Sequence, residues 1–151
     1  AESKLRAWAI QHNVQCTILR VPGIYAGDRL PLDRLKKGTP ALLPDQDVYT
    51  NHIHADDLAR LIILSIYRFK PQRVMNACDF SELKMGEYFD LVADKMSLQR
   101  PPRVDKATLS TLVSPQLLSF MQESRRISND RLHEIGFKFL YPTVRDYLQS
   151  I

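Results

Sequence analysis

The fold of this chain is decided by the stretch Thr17-Ile-Leu-Arg-Val-Pro-Gly-Ile-Tyr-Ala-Gly-Asp-Arg29. Residues 14–21 are rich in β-branched and aliphatic side chains, which favour a short buried strand. Pro22-Gly23 ends this strand, because proline has no N–H for the ladder and glycine tolerates backbone angles that other residues resist. Residues 24–29 are then predicted to form a loop of mostly small residues. Open α/β sheets bind ligands beyond such strand ends, so the stretch predicts a ligand site, although a turn without function explains the local sequence equally well.

The composition is typical of a soluble globular protein and disfavours two classes of partner. The 151 residues amount to one domain or to a piece of a larger one, with 44% hydrophobic and 25% charged residues. The net charge of +4 is scattered along the chain, which disfavours nucleic-acid binding and suits an anionic small molecule. No apolar run reaches the length of a membrane span. Cys16 and Cys78 lack metal-ligand spacing and are expected to be reduced core thiols, as in a cytoplasmic protein.

Hydrophobic periodicity predicts an alternation of helices and strands, and therefore an α/β fold. The predicted helices cover residues 2–13, 30–37, 56–69, 81–98, 116–122, 130–135 (closed by Gly136) and 144–151, and the helix over 56–69 is expected to be largely buried. The predicted extended segments cover residues 14–21, 48–54, 73–78 and 124–128, whereas residues 39–45 are expected to be irregular. None of the five glycines forms the Gly-x-Gly-x-x-Gly turn that binds a dinucleotide.

Three stretches, in this order, cover most of the chain and resemble one family. They are the stretch 18–29 quoted above, Ile53-His-Ala-Asp-Asp-Leu-Ala59, and a terminal run that includes Arg126-Ile-Ser-Asn-Asp-Arg-Leu132 and Tyr141-Pro-Thr-Val-Arg-Asp-Tyr-Leu148. Together they resemble the C-terminal, substrate-side half of an extended short-chain dehydrogenase/reductase of the NAD-dependent epimerase/dehydratase type.

The resemblance implies the C-terminal portion of a Rossmann-like NAD(P)-binding fold plus a small, mostly helical substrate-binding subdomain. Residues 1–25 and 48–80 would belong to the Rossmann-like part, and residues 26–47 and 81–151 to the subdomain. The glycine-rich turn and the catalytic Tyr-x-x-x-Lys of the family would lie upstream, so no catalytic residue is expected in this chain. Lys4 could be taken for that lysine, but Glu2 matches a family glutamate eighteen positions before the strand arginine, here Arg20, which places the lysine ahead of Ala1.

The resemblance also implies binding residues. Val21, Pro22 and Gly23 would lie beside the nicotinamide of NAD or NADP, which accepts a hydride from a sugar carbon. The implied substrate contacts are Tyr25, Arg29, Asn51 and His52, with Arg29 the best partner for an anionic group. Many sugar-nucleotide members carry an arginine where this chain has Thr50, so the chain is expected to belong to an atypical subgroup.

A metal site at His52, His54, Asp56 and Asp57 is considered and not favoured. The two aspartates are explained by a helix start, and His54 by packing beneath the loop.

The sequence therefore predicts the substrate-binding half of an NAD(P)-dependent sugar or sugar-nucleotide epimerase, dehydratase or reductase, inactive by itself. The alternative is a non-enzymatic module on the same scaffold that senses a cofactor or binds a protein. The expected partner is an anionic or sugar-like small molecule. Self-association through Trp8 and the face of residues 58–66 is expected, unless the first third is loosely folded.

Overall fold

The structure is a computed structural model that describes residues 1–151, apart from the side chain of Phe120. The helices are α1 (Glu2–Gln11), α2 (Leu32–Lys36), α3 (Ala55–Arg68), α4 (Met85–Lys95), α5 (Lys106–Leu112), α6 (Pro115–Gln122) and α7 (Val144–Ser150). The strands are β1 (Thr17–Arg20), β2 (Gly23–Tyr25), β3 (Ala41–Leu42), β4 (Tyr49–Thr50), β5 (His52–His54), β6 (Arg73–Asn76), β7 (Leu83–Lys84) and β8 (Arg103–Val104). Short 3-10 helices cover Gly27–Arg29 and Asp130–Ile135.

The strands pair two by two, and three of the four pairs are parallel. Strand β1 pairs with β6, with Thr17 opposite Arg73, and β2 pairs with β5, with Gly23 opposite His52. Strand β3 pairs in parallel with β8, whereas β4 and β7 are antiparallel. Parallel pairing of strands separated by helices is the pattern of an α/β fold.

Four predicted elements differ from the structure. The helix predicted over 81–98 begins only at Met85, because Leu83–Lys84 form β7, which pairs with β4. The loop predicted over 24–29 is wrong at its start, because β2 begins directly after Pro22 and its Gly23 N–H donates to the Asn51 carbonyl at 3.2 Å. The irregular stretch predicted over 39–45 contains β3. The strand predicted over 124–128 is absent from the described backbone, since side chains hold much of this segment in place.

Two hydrophobic clusters form the core. The first cluster contains residues of α4 and α7 packed around Tyr25, Leu42 and Val48. The second cluster lies between α3 and β6 and includes Ile53, Leu61, Met75, Leu132, Ile135 and Phe137. The 3-10 helix Asp130–Ile135 thus packs against elements that were predicted to form the Rossmann-like part.

Two helices expose apolar side chains. In α3 only one face is covered, with Asp57, Leu58 and Leu61 buried, so the prediction of a largely buried helix is wrong. Ile62, Ile63, Ile66 and Tyr67 of α3 are 45–81% exposed, and Leu5, Trp8 and Ile10 of α1 are 49–64% exposed. No helix in the described chain has the length and apolar character needed to cross a membrane.

Two side chains fix the start of α3: His54, directly before the helix, and Asp57, in its first turn. His54 Nδ1 accepts a hydrogen bond from the Asp56 N–H at 3.2 Å and so caps the helix. Asp57 is fully buried and accepts hydrogen bonds from the Leu140 N–H at 2.7 Å and the Tyr141 N–H at 2.9 Å. Asp57 is therefore a clamp that holds the C-terminal segment onto α3, in addition to its place at the positive end of the helix.

Candidate functional site

A cleft of about 650 Å³ opens where β1 ends. One part of its lining is the turn Val21-Pro22-Gly23, and residues 49–51 form another part beside it. A third part comes from the segment 123–128, of which Glu123, Arg125 and Ile127 line the cleft. Since the turn follows the carboxyl end of a parallel strand, the cleft lies where α/β sheets bind their ligands.

The three residues predicted to bind the cofactor all line this cleft. Val21 is 43% exposed, and Gly23 is exposed. A Cβ atom at position 23 would lie 3.2 Å from Cδ2 of His52 and 3.4 Å from the Asn51 carbonyl oxygen. Glycine therefore eases the close approach of β2 to β5. Val21 and the backbone of Gly23 present exposed surface to the cleft, and binding of a nicotinamide there stays a prediction.

Two of the four predicted substrate residues lie behind the cleft, in the interior. Tyr25 is fully buried and donates its hydroxyl to Oδ2 of Asp79 at 3.0 Å. His52 is 6% exposed, and its ring centroid lies 4.3 Å from that of Tyr88. The hydrogen bond to Asp79 explains the burial of Tyr25, and packing against Tyr88 explains that of His52, so direct contact of Tyr25 and His52 with a substrate stays a prediction.

The other two predicted substrate residues differ in their position. Asn51 lines the cleft. Arg29 is exposed at the end of the 3-10 helix Gly27–Arg29, and a Cβ atom at Gly27 would lie 3.3 Å from the Tyr147 hydroxyl. This 3-10 helix therefore packs toward α7, and Arg29 is outside the set of described residues that line the cleft. Anion binding by Arg29 stays a prediction.

Sequence reasoning missed the segment 123–128 as part of the site. Arg125 and Arg126 form one of the few basic pairs in the chain, directly before the Ile-Ser-Asn motif. That pair was the available signal, but its meaning depends on a fold that brings it next to residues more than 70 positions earlier.

Ion pairs neutralise the rim of the cleft. Arg20 donates two hydrogen bonds to the Glu2 carboxylate, at 2.8 and 2.6 Å, and the Arg20 guanidinium lowers the pKa of Glu2. Arg125 pairs with Glu123 at 3.0 Å between Nη2 and Oε2. Because all four side chains are substantially exposed to solvent, each pair contributes little to stability.

A second cavity of about 390 Å³ adjoins the cleft and shares part of its wall. We call it the neighbouring cavity; it is lined by residues 79–82 and 125–130 together with 49–51. Burial raises the pKa of Asp79 to about 6, against the lowering effect of hydrogen bonds from Ser81 and Tyr25. Burial also lowers the pKa of His52 to about 4.

These two shifts predict opposite pH dependences of stability over one pH range. The folded chain holds the Asp79 proton more tightly than the unfolded chain. The contribution of protonated Asp79 to the free energy of unfolding is therefore full below pH 3.8 and is lost as pH rises to about 6. The folded chain holds the His52 proton less tightly, so that contribution is present above pH 6.5 and is lost as pH falls to about 4.

We therefore expect Asp79→Asn and His52→Gln to change the pH profile in opposite directions. Relative to the unmodified chain, the unfolding free energy of Asp79→Asn should rise with pH between about pH 4 and pH 6, by up to about 1.4 kcal/mol per pH unit. That of His52→Gln should fall with pH between about pH 4 and pH 6.5. Urea unfolding at several pH values measures both slopes, and slopes of the same sign would contradict the assignment.

Comparison with known proteins supports the fold. No protein-family model and no curated protein matches the chain. Among solved structures, a functionally unknown conserved protein from Silicibacter pomeroyi DSS is 29% identical, with a TM-score of 0.80, over 95% of this chain and 50% of its own. A nucleoside-diphosphate-sugar epimerase from Pseudomonas aeruginosa is 16% identical, with a TM-score of 0.74, over 98% of this chain and 50% of its own. A human epimerase family protein with NADPH is 14% identical, with a TM-score of 0.73, over 91% of this chain and 48% of its own.

The chain spans about half the length of these structures. The predicted fold class is confirmed: the chain has a mixed α/β fold that matches the C-terminal half of Rossmann-like structures of the epimerase and short-chain dehydrogenase/reductase type.

Proposed function

We propose that this chain is the substrate-side half of an NAD(P)-dependent epimerase, dehydratase or reductase that acts in the cytoplasm on an anionic or sugar-like small molecule. The proposal rests on one observation: the turn 21–23 at the end of β1 lines a cleft together with Asn51 and Arg125. The P. aeruginosa neighbour is a nucleoside-diphosphate-sugar epimerase, and the human neighbour was crystallised with NADPH. For the whole protein, the human neighbour supports a nicotinamide cofactor and the P. aeruginosa neighbour supports a sugar-like substrate.

The residues of the cleft fit the roles that this function needs. Val21, Pro22 and Gly23 would hold the nicotinamide, which accepts or returns a hydride when it is bound. The other parts of the lining, with Asn51 and the segment 123–128, would hold the substrate and orient it against the nicotinamide. Thr50 in place of the family arginine supports a subgroup whose substrate differs from a typical nucleotide sugar.

The proposal also divides the chain into a Rossmann-like part and a substrate-binding subdomain. Residues 1–25 and 48–80 would belong to the Rossmann-like part, and residues 26–47 and 81–151 to the substrate-binding subdomain. The first hydrophobic cluster lies mainly in the second of these groups, which supports the division, whereas Leu132, Ile135 and Phe137 pack on the Rossmann-like side.

We expect residues 1–151 alone to show no NAD(P)-dependent turnover. The sequence contains neither a glycine-rich dinucleotide turn nor a Tyr-x-x-x-Lys pair, so both the general base and the binding site for the dinucleotide would come from a preceding segment. The assay follows nicotinamide absorbance with NAD⁺ and NADP⁺ for this chain and for the full-length product of its gene.

Turnover by residues 1–151 alone would contradict the proposal. A full-length product that has the glycine-rich turn and the Tyr-x-x-x-Lys pair and shows turnover would support it. A product that binds the cofactor but lacks the tyrosine would instead identify a non-enzymatic cofactor sensor.

A further inference from the structure

The segment 123–128 separates the cleft from the neighbouring cavity. Tyr49, Thr50, Asn51, Arg125 and Ile127 line both spaces, so they form the shared wall. Glu123 lines the cleft, whereas Arg126 lines the neighbouring cavity. Arg125 therefore contacts both spaces, whereas Arg126 lines the neighbouring cavity and not the cleft.

Asn51 fixes this segment by using both ends of its side-chain amide. Its Nδ2 donates to the Arg125 carbonyl at 2.7 Å, and its Oδ1 accepts from the Ile127 N–H at 3.1 Å. The Tyr49 N–H donates to the Ser124 hydroxyl at 3.2 Å and adds a third attachment. The backbone on either side of Arg126 is therefore held, and Arg125 is presented at the shared wall. This arrangement makes Asn51 a positioning residue.

The two neighbouring arginines have different partners. Arg126 pairs with Glu82 at 2.6 Å, and its guanidinium carbon lies 5.2 Å from the centre of the Tyr49 ring. Arg125 pairs with Glu123 at 3.0 Å, and both side chains are more than half exposed. The charge of Arg125 is therefore balanced, within the cleft, by an exposed surface carboxylate.

The Arg125 pair is easier to exchange than the other guanidinium pair on the cleft. Nε and Nη2 of Arg20 both donate to Glu2, at 2.8 and 2.6 Å, which is the full two-pronged geometry of an arginine–carboxylate pair. Arg125 contacts Glu123 through Nη2, and a guanidinium carries five N–H donors. An incoming oxyanion can thus form a two-pronged pair with Arg125 at the cost of one exposed contact.

We propose that Arg125 recognises the anionic group of the substrate, that Glu123 is the internal carboxylate which this group replaces, and that Asn51 positions Arg125 for the exchange. The proposal rests on the proposed function, because it assigns the anionic substrate to the cleft that would also hold the nicotinamide. The recognised chemistry is a carboxylate or phosphate oxyanion, and it excludes a neutral sugar as a sufficient ligand for this contact.

The test is a titration of residues 1–151 with inorganic phosphate, with gluconate and with neutral glucose, followed by NMR at the Arg125 side-chain Nε–H and, in variants that lack this group, at the backbone amide of Ile127, which also lines the cleft. We expect saturable shifts with phosphate or gluconate, and the stronger of the two identifies phosphate or carboxylate as the preferred group. Glu123→Gln should tighten binding by about two- to fivefold, since it removes a competitor of the strength of a surface ion pair. Arg125→Gln should abolish saturable binding, and Arg125→Lys should weaken it.

Arg126→Gln is the matched control, because it removes the same charge from the adjacent position in the neighbouring cavity. Its anion affinity should stay within about twofold of the unmodified chain, a change smaller than one surface ion pair contributes. Three results would each overturn the proposal: equal losses of anion affinity for Arg125→Gln and Arg126→Gln, NMR shifts confined to residues that line the neighbouring cavity but not the cleft, or glucose binding equal to that of the anions.

The role of Asn51 has its own readout. Asn51→Ala should speed hydrogen exchange of the Ile127 amide and weaken anion binding, and its effect on affinity should be smaller in the Arg125→Lys background, where binding is weakened but still measurable. An additive effect in the double variant would overturn the positioning role. The titration needs neither cofactor nor turnover, so failure of anion binding and failure of the proposed enzyme activity are separate results.

Discussion

Replacing Asp57 by asparagine is expected to lower the free energy of unfolding by about 2–4 kcal/mol. The Asp57 side chain is fully buried, and its two oxygens accept hydrogen bonds from the backbone N–H groups of Leu140 and Tyr141. Arg60 donates a further bond at 2.9 Å. Asparagine keeps one acceptor oxygen but replaces the other with an NH₂ group, which is a donor. One of the two backbone N–H groups would therefore lose its acceptor and face this NH₂ group. Urea unfolding measures the change.

Asp56→Asn is the matched control for this change, since it alters the neighbouring aspartate in the same helical turn. The Asp56 side chain is 69% exposed, so its loss should cost no more than the interaction of a surface charge with the helix dipole, about 0.3–1 kcal/mol. Similar losses for Asp56→Asn and Asp57→Asn would contradict the clamp between α3 and the C-terminal segment.

Replacing Leu61 by alanine is expected to cost about 2–5 kcal/mol, the usual range for a large-to-small change in a core. Leu61 is fully buried in the second hydrophobic cluster. Ile66→Ala, on the exposed side of the same helix, should change the unfolding free energy by less than about 1 kcal/mol, because Ile66 is 69% exposed. Thermal or urea unfolding compares the two variants, and equal costs would contradict the one-sided packing of α3.

The exposed side of α3 carries the proposed self-association. Ile66 and Tyr67 of α3, together with Trp8 of α1, leave apolar surface that recruits partners when it is contiguous. We propose that copies of residues 1–151 associate through these helices. Ile66→Ala should then reduce the sedimentation coefficient at low micromolar concentration while stability stays nearly unchanged, and a native chain that sediments as a monomer would exclude the association.

Local patterns predicted much of the secondary structure correctly, because their causes are local. Apolar spacing indicated α1 and α3, and Gly136 ends the helix that precedes it with a φ of +66°. Strands β2 and β3 were missed because their partners lie about 30 and 60 residues away. A proline before β2 and a two-residue β3 leave no periodic signal that a sequence pattern could reveal.

The candidate site could be predicted only where it follows from a strand end. Val21, Pro22 and Gly23 were indicated by the strand that stops there, and they line the cleft with Asn51. Arg125 could not be predicted, because its position depends on two hydrogen bonds that the Asn51 side chain forms with Arg125 and Ile127. These partners lie 74 and 76 residues after Asn51 in the sequence. The burial of Tyr25 and His52 depends likewise on tertiary packing that single-residue patterns do not record.

The most direct measurement of the nicotinamide site is an NMR map of cofactor binding on the full-length product of the gene that encodes this chain. With NAD⁺ or NADP⁺ we predict shifts at the amides of Val21, Gly23 and Asn51, which line the cleft. The amides of Ser81 and Glu82, in the neighbouring cavity, should stay in place. Saturating cofactor that moves Ser81 and Glu82 and leaves the cleft amides unchanged, or no cofactor binding at all, would contradict the proposed function.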